Sequence, residues 1–362
     1  MYEARRKIFW FAIISRIIVL SLQFIFNLLC PDHDADAFKS PTDNSEQISL
    51  YDSLITILFG GLARWDGEYF LHIAKYGYTY ENTLAFYPLY PFSVLIAAML
   101  VNVICFVKSA VIFYDLSKTV LKTTNVAYKA AILYCINPAT IFFSAAYSES
   151  LFAYLTMLRS IKLDPYVSFP ISLSILTRSN GVINIGFPIY YQLQKLSYDY
   201  SKKHANFSLK TFCQFMFKAS TLKILPGNSY VEWCHLKIPM AYSYIQKKYW
   251  NLGFLNYYEI KQIPNFILAF PILYIMMKCI KEFFFEHKKY FYTLGFIKNT
   301  EDNVQTERKK YPIEMLVFVI HVSTRLISSA SPLIYWYCAL LICYTSYNND
   351  NLYDEKENDM EL

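Results

Sequence analysis

Apolar runs recur along the whole of this 362-residue chain, near 8–30, 92–107, 127–143, 151–163, 165–193, 264–280, 312–322 and 333–346. In hydrocarbon a backbone must satisfy its own hydrogen bonds, and a helix does so within one segment. Runs of this kind are therefore read as membrane spans, which predicts an all-α polytopic membrane protein with about eight transmembrane helices. Composition agrees: 55% of residues are apolar, 19% aromatic and only 17% charged. That aromatic share is well above soluble norms, and a division into soluble domains is excluded.

Charge orders the segments. Arg5, Arg6 and Lys7 precede the first run and place the N-terminus in the cytosol. That run is too long for a cleavable signal and reads as a signal anchor. The acidic stretch 31–50 then falls on the lumenal side, and 50–63 reads as amphipathic and interfacial. Its D-x-D-x-D spacing lacks the glycine and terminal glutamate of a calcium loop. After 92–107, Lys108, Lys118, Lys122 and Lys129 mark a cytosolic side, as do the basic residues of 281–311. The segment 194–223 carries six Lys against one Asp, so it too reads as cytosolic, and the sequon at Asn206 is expected to go unused. Yet 226–263, rich in Tyr, Trp and Pro, resembles the first lumenal loop. A further crossing is needed, by a fold-back at Ser179–Gly181 or through 211–222. The net charge of +6 is spread over loops, so no nucleic acid is expected. The eight Cys form no C-x-x-C, and no metal site is expected.

Between the first two runs lies R-W-D-G-E-Y-F-L-H-I-A-K-Y-G-Y-T-Y-E-N-T-L-A-F-Y-P-L-Y-P, 64–91. It sets Asp66, Glu68, His72, Lys75 and Glu81 among nine aromatic residues. A solvated loop would not carry so many rings, and a buried span could not carry so many charges. The stretch is expected to form a partly buried surface at the membrane interface, suited to a lipid head group. Two further features stand out. Asn137-Pro138 should kink the span 127–143 and free backbone groups there, and S-A-A-Y-S-E-S, 144–150, puts Glu149 at a helix junction, as a cap or as a working acid. Arg178 sits inside an apolar run, either paired with an acid or aimed at an anion, with Gly181 and Gly186 permitting close packing.

Five stretches carry a resemblance to a known family: R-W-D-G-E-Y-F-L-H-I-A-K-Y-G-Y (64–78) with A-F-Y-P (85–88); N-P-A-T-I-F-F-S-A-A-Y-S-E-S-L-F-A (137–153); T-R-S-N-G-V-I-N-I-G-F (177–187); S-Y-I-Q-K-K-Y-W-N-L-G-F-L-N-Y-Y-E-I-K-Q-I-P-N-F (243–266); and R-L-I-S-S-A-S-P-L-I-Y-W (325–336). In this order the chain resembles the PIG-V family of GPI mannosyltransferases, within the GT-C superfamily. It departs from the family in length, because 160–230 is short. The resemblance implies a GT-C-like helical domain, 1–346, in the endoplasmic reticulum membrane, with lumenal loops 31–91 and 226–263 and an acidic cytosolic tail, 347–362. It implies transfer of the second mannose, by an inverting α-1,6 step, from dolichyl-phosphate-mannose to a mannosyl-glucosaminyl-phosphatidylinositol lipid. No cofactor is expected, and a small accessory membrane subunit is an expected partner.

The residue types suit that chemistry. Inverting transfer needs one general base, for which Asp66 is the first candidate and Glu68 the alternative. The leaving phosphate calls for positive charge, from Arg64, Arg178 or Arg325, with His72 and His321 as hydrogen-bond donors. His321 and Arg325 stand one helical turn apart. Trp65, Tyr69, Tyr87, Tyr249 and Trp250 suit stacking on sugar faces, although an aromatic belt would also explain them. Glu149, Asn180 and Gln246 complete the expected substrate-binding set. A lipid transporter or scramblase would put its charges on mid-membrane helices in internal repeats. A non-catalytic subunit of an assembly complex is a further alternative.

Overall fold

The structure is a computed structural model and describes residues 2–30, 38–41, 50–91, 95–161, 168–186, 241–251, 259–260, 263–286 and 334–344, with single positions at 189, 288, 292 and 332. Every element among them is helical. The chain runs through α1 (Tyr2–Leu29), α2 (Leu50–Phe59), α3 (Asp66–Tyr76), α4 (Leu95–Leu121), α5 (Thr124–Cys135), α6 (Glu149–Ile161), α7 (Ser168–Thr177), α8 (Ala241–Trp250), α9 (Ile263–Glu286) and α10 (Ile334–Tyr344). Short 3-10 turns lie at Gly60–Leu62, Glu81–Ala85, Thr140–Phe143 and Ser179–Ile185. Among the described residues two helices, Tyr2–Leu29 and Ala97–Leu121, are long and apolar enough to cross a membrane. The expected features at 194–240, 312–322 and 347–362, the Asn206 sequon included, lie outside the described residues.

Helices α1 and α4 run antiparallel. Arg5 near the start of α1 pairs with Asp115 near the end of α4 at 2.7 Å, and Arg16 lies over the ring of Phe106 at 3.8 Å. Around them α5, α6, α9 and α10 close a core of Ile8, Phe106, Phe113, Tyr134, Phe143, Met157, Met276, Tyr335 and Trp336. For the membrane bundle that the sequence predicts, apolar burial would drive little, and close approach and interhelical hydrogen bonds would hold it. Both are present here. Ala12, Ala110, Ala127, Ala130 and Ala131 are wholly buried and let backbones approach. The Tyr134 and Ser109 hydroxyls meet at 2.8 Å, and Trp336 Nε1 donates to Ser117 Oγ at 2.7 Å, each contact contributing about 0.6–2 kcal/mol.

Two sequence expectations are corrected. The second apolar run does not end at Lys108, because α4 continues to Leu121. A long side chain whose ammonium reaches the Tyr154 ring, 6.0 Å away, can stay within an apolar helix by lying along its surface. The third run, expected as one span over 127–143, stops at Cys135. Proline at 138 supplies no N–H and disfavours the helical region for Asn137, so the chain turns into the 3-10 segment Thr140–Phe143.

Candidate active site

The break at Asn137-Pro138 leaves carbonyls at the end of α5 without helical partners. One Asn137 amide proton returns to Tyr134 O at 2.7 Å. The rest of the task falls to Arg16, a side chain only 1% exposed. Each of the five N–H groups of a guanidinium has an acceptor here. Nη1 donates to Thr140 O at 2.8 Å and Ser144 Oγ at 3.0 Å, Nη2 to Cys135 O at 3.2 Å and to Thr140 Oγ1, and Nε to Ser15 Oγ at 3.4 Å. Arg16 thereby fixes the bend that delivers residues 144–150 to one end of the bundle.

That stretch carries the first loop. Ala146 N donates to Leu62 O at 3.0 Å, and the Tyr147 hydroxyl donates to Arg64 O at 3.0 Å. From α4, the fully buried Asn102 donates its amide to Tyr147 O at 2.9 Å, to Ala145 O and to the Tyr90 hydroxyl at 2.8 Å. The strap therefore spans 62–64, 90 and 145–147.

Asp66 opens α3, with Glu68 also in its first turn and Lys75 in its last, the order that suits the helix dipole. Trp65 precedes it at φ 59°, a backbone state that non-glycine residues rarely adopt, and its ring stands 65% exposed. Asp66 and Glu68 are both half-buried. Burial pushes the Glu68 carboxyl above the ordinary range, against a backbone hydrogen bond from Ser40.

Deeper on α3, Tyr69 is stacked between Phe38 at 4.4 Å and Phe86 at 4.5 Å. Both faces of its ring are covered. His72 is 3% exposed, and both its nitrogens are engaged: Nδ1 lies 2.8 Å from Ser40 Oγ and Nε2 2.7 Å from Thr79 Oγ1. Burial holds its pKa below the usual value. His72 thus knits the first loop together, and its hydrogen-bonding capacity is taken up inside the protein.

Helix α8, from the second expected loop, docks on this surface. Lys248 Nζ lies 2.7 Å from Glu81 Oε2, and the Tyr249 hydroxyl donates to the same oxygen at 2.7 Å. Burial raises the Glu81 pKa, but these two hydrogen bonds prevail and the net shift is downward. Trp250 meets Tyr69 and Phe86 edge-on at 6.1 and 6.3 Å, and Tyr242 lies 6.4 Å from Tyr87. Tyr87 and Gln246 are half-buried, while Tyr249 is 43% exposed.

Glu149 heads α6 and is completely buried. Its Oε1 lies 2.7 Å from Arg178 Nη1, which also donates to Ser148 Oγ at 3.3 Å. Arg178 arrives there because α7 ends at Thr177 and Arg178 itself is extended, at φ −151° and ψ 150°. The chain then folds back on α7 at Ser179–Ile185; the alternative crossing through 211–222 lies outside the described residues. Asn184 donates to Ser174 Oγ at 3.0 Å and to Thr156 Oγ1 at 3.1 Å. A Cβ on Gly181 would strike the backbone of Ser174 and Ile175. Leu89 N donates to Leu176 O at 3.1 Å, joining α7 to the first loop. Asn180 lies in the turn, half-buried.

Three separated stretches, 64–91, 144–150 and 174–184, thus meet at one end of the bundle, joined by α8. These stretches carry Arg64, Trp65, Asp66, Glu68, Glu149, Arg178 and Asn180. His321 and Arg325 lie outside the described residues. No group of three or more metal-ligating side chains occurs among the described residues. Arg16 and Asn102 went unremarked in the sequence; a charge or amide inside an apolar run was the signal, as it was for Arg178.

The profile of the mannosyltransferase (PIG-V) family matches residues 5–102 and 93–361. A GPI mannosyltransferase 2 from Drosophila melanogaster is 32% identical, over 92% of this chain and 90% of its own length. GPI alpha-1,6-mannosyltransferase 2 from Cricetulus griseus is 32% identical, and that from Homo sapiens 30% identical, each over 94% of this chain and 84% of its own length. No solved structure matches significantly. The chain belongs to the PIG-V mannosyltransferase family.

Proposed function

We propose that this protein transfers the second mannose, by an α-1,6 bond, to the growing glycosylphosphatidylinositol lipid. The donor is dolichyl-phosphate-mannose, and the enzyme is a multi-pass protein of the endoplasmic reticulum membrane with its site on the lumenal side. The observation that carries this reading is the meeting of the W-D-G-E, S-A-A-Y-S-E-S and T-R-S-N-G segments at one end of the helices, in a chain whose relatives bear that activity in their names. GPI assembly supplies a lipid-linked acceptor hydroxyl, so both substrates approach from the bilayer.

In this reading Asp66 takes the proton of the acceptor hydroxyl as its oxygen attacks the anomeric carbon. The new C–O bond forms as the bond to the phosphate oxygen breaks, and the electron pair leaves on the phosphate. Glu68, with its carboxyl raised by burial, is the alternative base. Arg178 faces the leaving phosphate with the N–H groups not held by Glu149. Tyr69 has no free face for a sugar, so the exposed Trp65 is the ring that stacks on the mannose.

The test is complementation of cells that lack the second GPI mannosyltransferase. The wild-type chain should restore surface GPI-anchored proteins. Asp66→Asn should insert and fold normally yet lose about 10²–10⁴-fold in transfer, the usual contribution of a general base. Near-normal transfer by Asp66→Asn would move the role to Glu68; failure of the wild type to restore the proteins would refute the function.

A further inference from the structure

Residues Arg64–Gly67 close a turn, with Gly67 N donating to Arg64 O at 3.1 Å. Trp65 lies at φ 59° and ψ −119°. These are the angles of the first central position in a type II′ turn, where glycine is usual and a side chain is strained. The strained residue stands directly before Asp66. Burial of its ring does not hold it there, because the ring is largely exposed. The surrounding backbone does. A carbonyl oxygen has room for two donors, and Arg64 O takes its second hydrogen bond from the Tyr147 hydroxyl at 3.0 Å. For Trp65 to relax to negative φ, the rigid Arg64–Trp65 peptide plane must rotate, which swings the Arg64 carbonyl away from both donors. Tyr147 is itself fixed: it is buried, meets Phe142 edge-on at 5.3 Å, and its carbonyl accepts the Asn102 amide at 2.9 Å. Ala146 N, donating to Leu62 O at 3.0 Å, ties the neighbouring backbone to the same stretch.

We propose that Tyr147 is a positioning residue for the transfer: its hydroxyl holds the strained Arg64–Gly67 turn and thereby aims the Asp66 carboxyl and the exposed Trp65 ring. The line of contacts runs from Asn102 on α4 through Tyr147 to Arg64 O, and so to Asp66. That Asp66 is the base rests on the transferase reading; the hold on the turn does not. A hydroxyl that served only to satisfy a carbonyl could do so at an unstrained turn. This one maintains a conformation that costs stability, beside the two residues whose direction the chemistry needs. A misplacement of about 1 Å at a reacting group can lower a rate about 100-fold. A hydroxyl acting only through this turn can therefore govern the rate without touching either substrate.

The experiment uses the full chain in nanodiscs, with dolichyl-phosphate-mannose as donor and mannosyl-glucosaminyl-phosphatidylinositol as acceptor. Tyr147→Phe keeps the ring and removes the hydroxyl. It should lower kcat about tenfold and leave KM for both lipids within about twofold. Trp65→Gly accepts positive φ without strain, and by loss of its ring it should raise KM for the donor. Within that background Tyr147→Phe should lower kcat by less than about twofold, because the turn no longer needs holding. An equal kcat loss in both backgrounds, or a change in KM alone, would overturn the proposal. A second readout needs no turnover. In a chain labelled with fluorotryptophan, the fluorine resonance of Trp65, one of five Trp, is assigned by Trp65→Phe. It should move in Tyr147→Phe; an unmoved resonance would also overturn the proposal. If Tyr147→Phe alone does not fold, adding Trp65→Gly should restore folding, and a double variant that stays unfolded counts against the proposal in the same way. Transfer that survives Asp66→Asn refutes the choice of base, while a shifted Trp65 resonance leaves the hold on the turn standing.

Discussion

Arg16 offers the sharpest test of how the site is held. Substitution by Met keeps the length of the side chain and its apolar stem but removes every donor. The hydroxyls of Ser15, Thr140 and Ser144 can rotate to other acceptors; the carbonyls of Cys135 and Thr140 cannot. The buried Cys135 carbonyl left unpaired costs about 1–3 kcal/mol and the part-buried Thr140 carbonyl less. Part of this is returned because a buried guanidinium no longer has to be desolvated. A net loss of about 1–3 kcal/mol follows, a shift of roughly 5- to 150-fold in the folding equilibrium. Arg16→Lys retains the charge and three donors, so it should fall between the two. Thermal melting of the purified full chain in nanodiscs measures the stability, and mannose transfer by the same samples measures the site. Transfer should fall in Arg16→Met even at temperatures where the protein stays folded, because 144–150 loses its anchor. Wild-type melting and wild-type transfer in Arg16→Met would refute the reasoning.

Other outcomes test other parts of the arrangement. Glu149→Gln removes the counter-charge of Arg178, whose side chain is 16% exposed, and should destabilise by about 1–3 kcal/mol, whereas Glu149→Gln with Arg178→Gln should recover part of that; strictly additive melting losses would deny the pair. His72 is held below its ordinary pKa of 6.5 by burial, so its contribution is full above that value and is lost as pH falls through the lower folded-state value. The melting temperature should therefore drop on the acid side of 6.5, and His72→Gln should flatten that dependence; an unchanged profile would show that another group titrates. Glu81→Lys should cut transfer about two- to fivefold by loosening α8, and adding Lys248→Glu should restore it. No rescue in the double variant would separate α8 docking from that ion pair.

The sequence disclosed individual residues more readily than their partners. Glu149 and Arg178 were each conspicuous as a charge in apolar surroundings, but their pairing depends on α7 ending at Thr177, a tertiary fact. A disturbance at Asn137-Pro138 was legible because proline acts on its own neighbours, but it was read as a kink where the helix ends; the use of Arg16 to satisfy that break was not legible, since it joins residues more than a hundred positions apart. Helix α4 was read too short because one lysine inside an apolar run looked like a boundary. Both stretches were conspicuous by their aromatic content, yet nothing local announced that Glu81 would meet Lys248. His72 looked like a donor for substrate because composition cannot show that Ser40 and Thr79 already occupy both nitrogens.

The fold-back after α7 has a consequence for where damage to this protein would be found. Arg178 owes its place to a turn whose closeness depends on Gly181 having no side chain. A methyl group there would push Ser179–Ile185 off α7, pull Asn184 from Ser174 and Thr156, and move the guanidinium away from Glu149 without touching either charged residue. A survey of inactivating lesions should therefore recover small, chemically silent residues such as Gly181 alongside the acids and arginines. The vulnerable unit at this corner is a seam of backbone contact, and its weakest stitch carries no functional group at all.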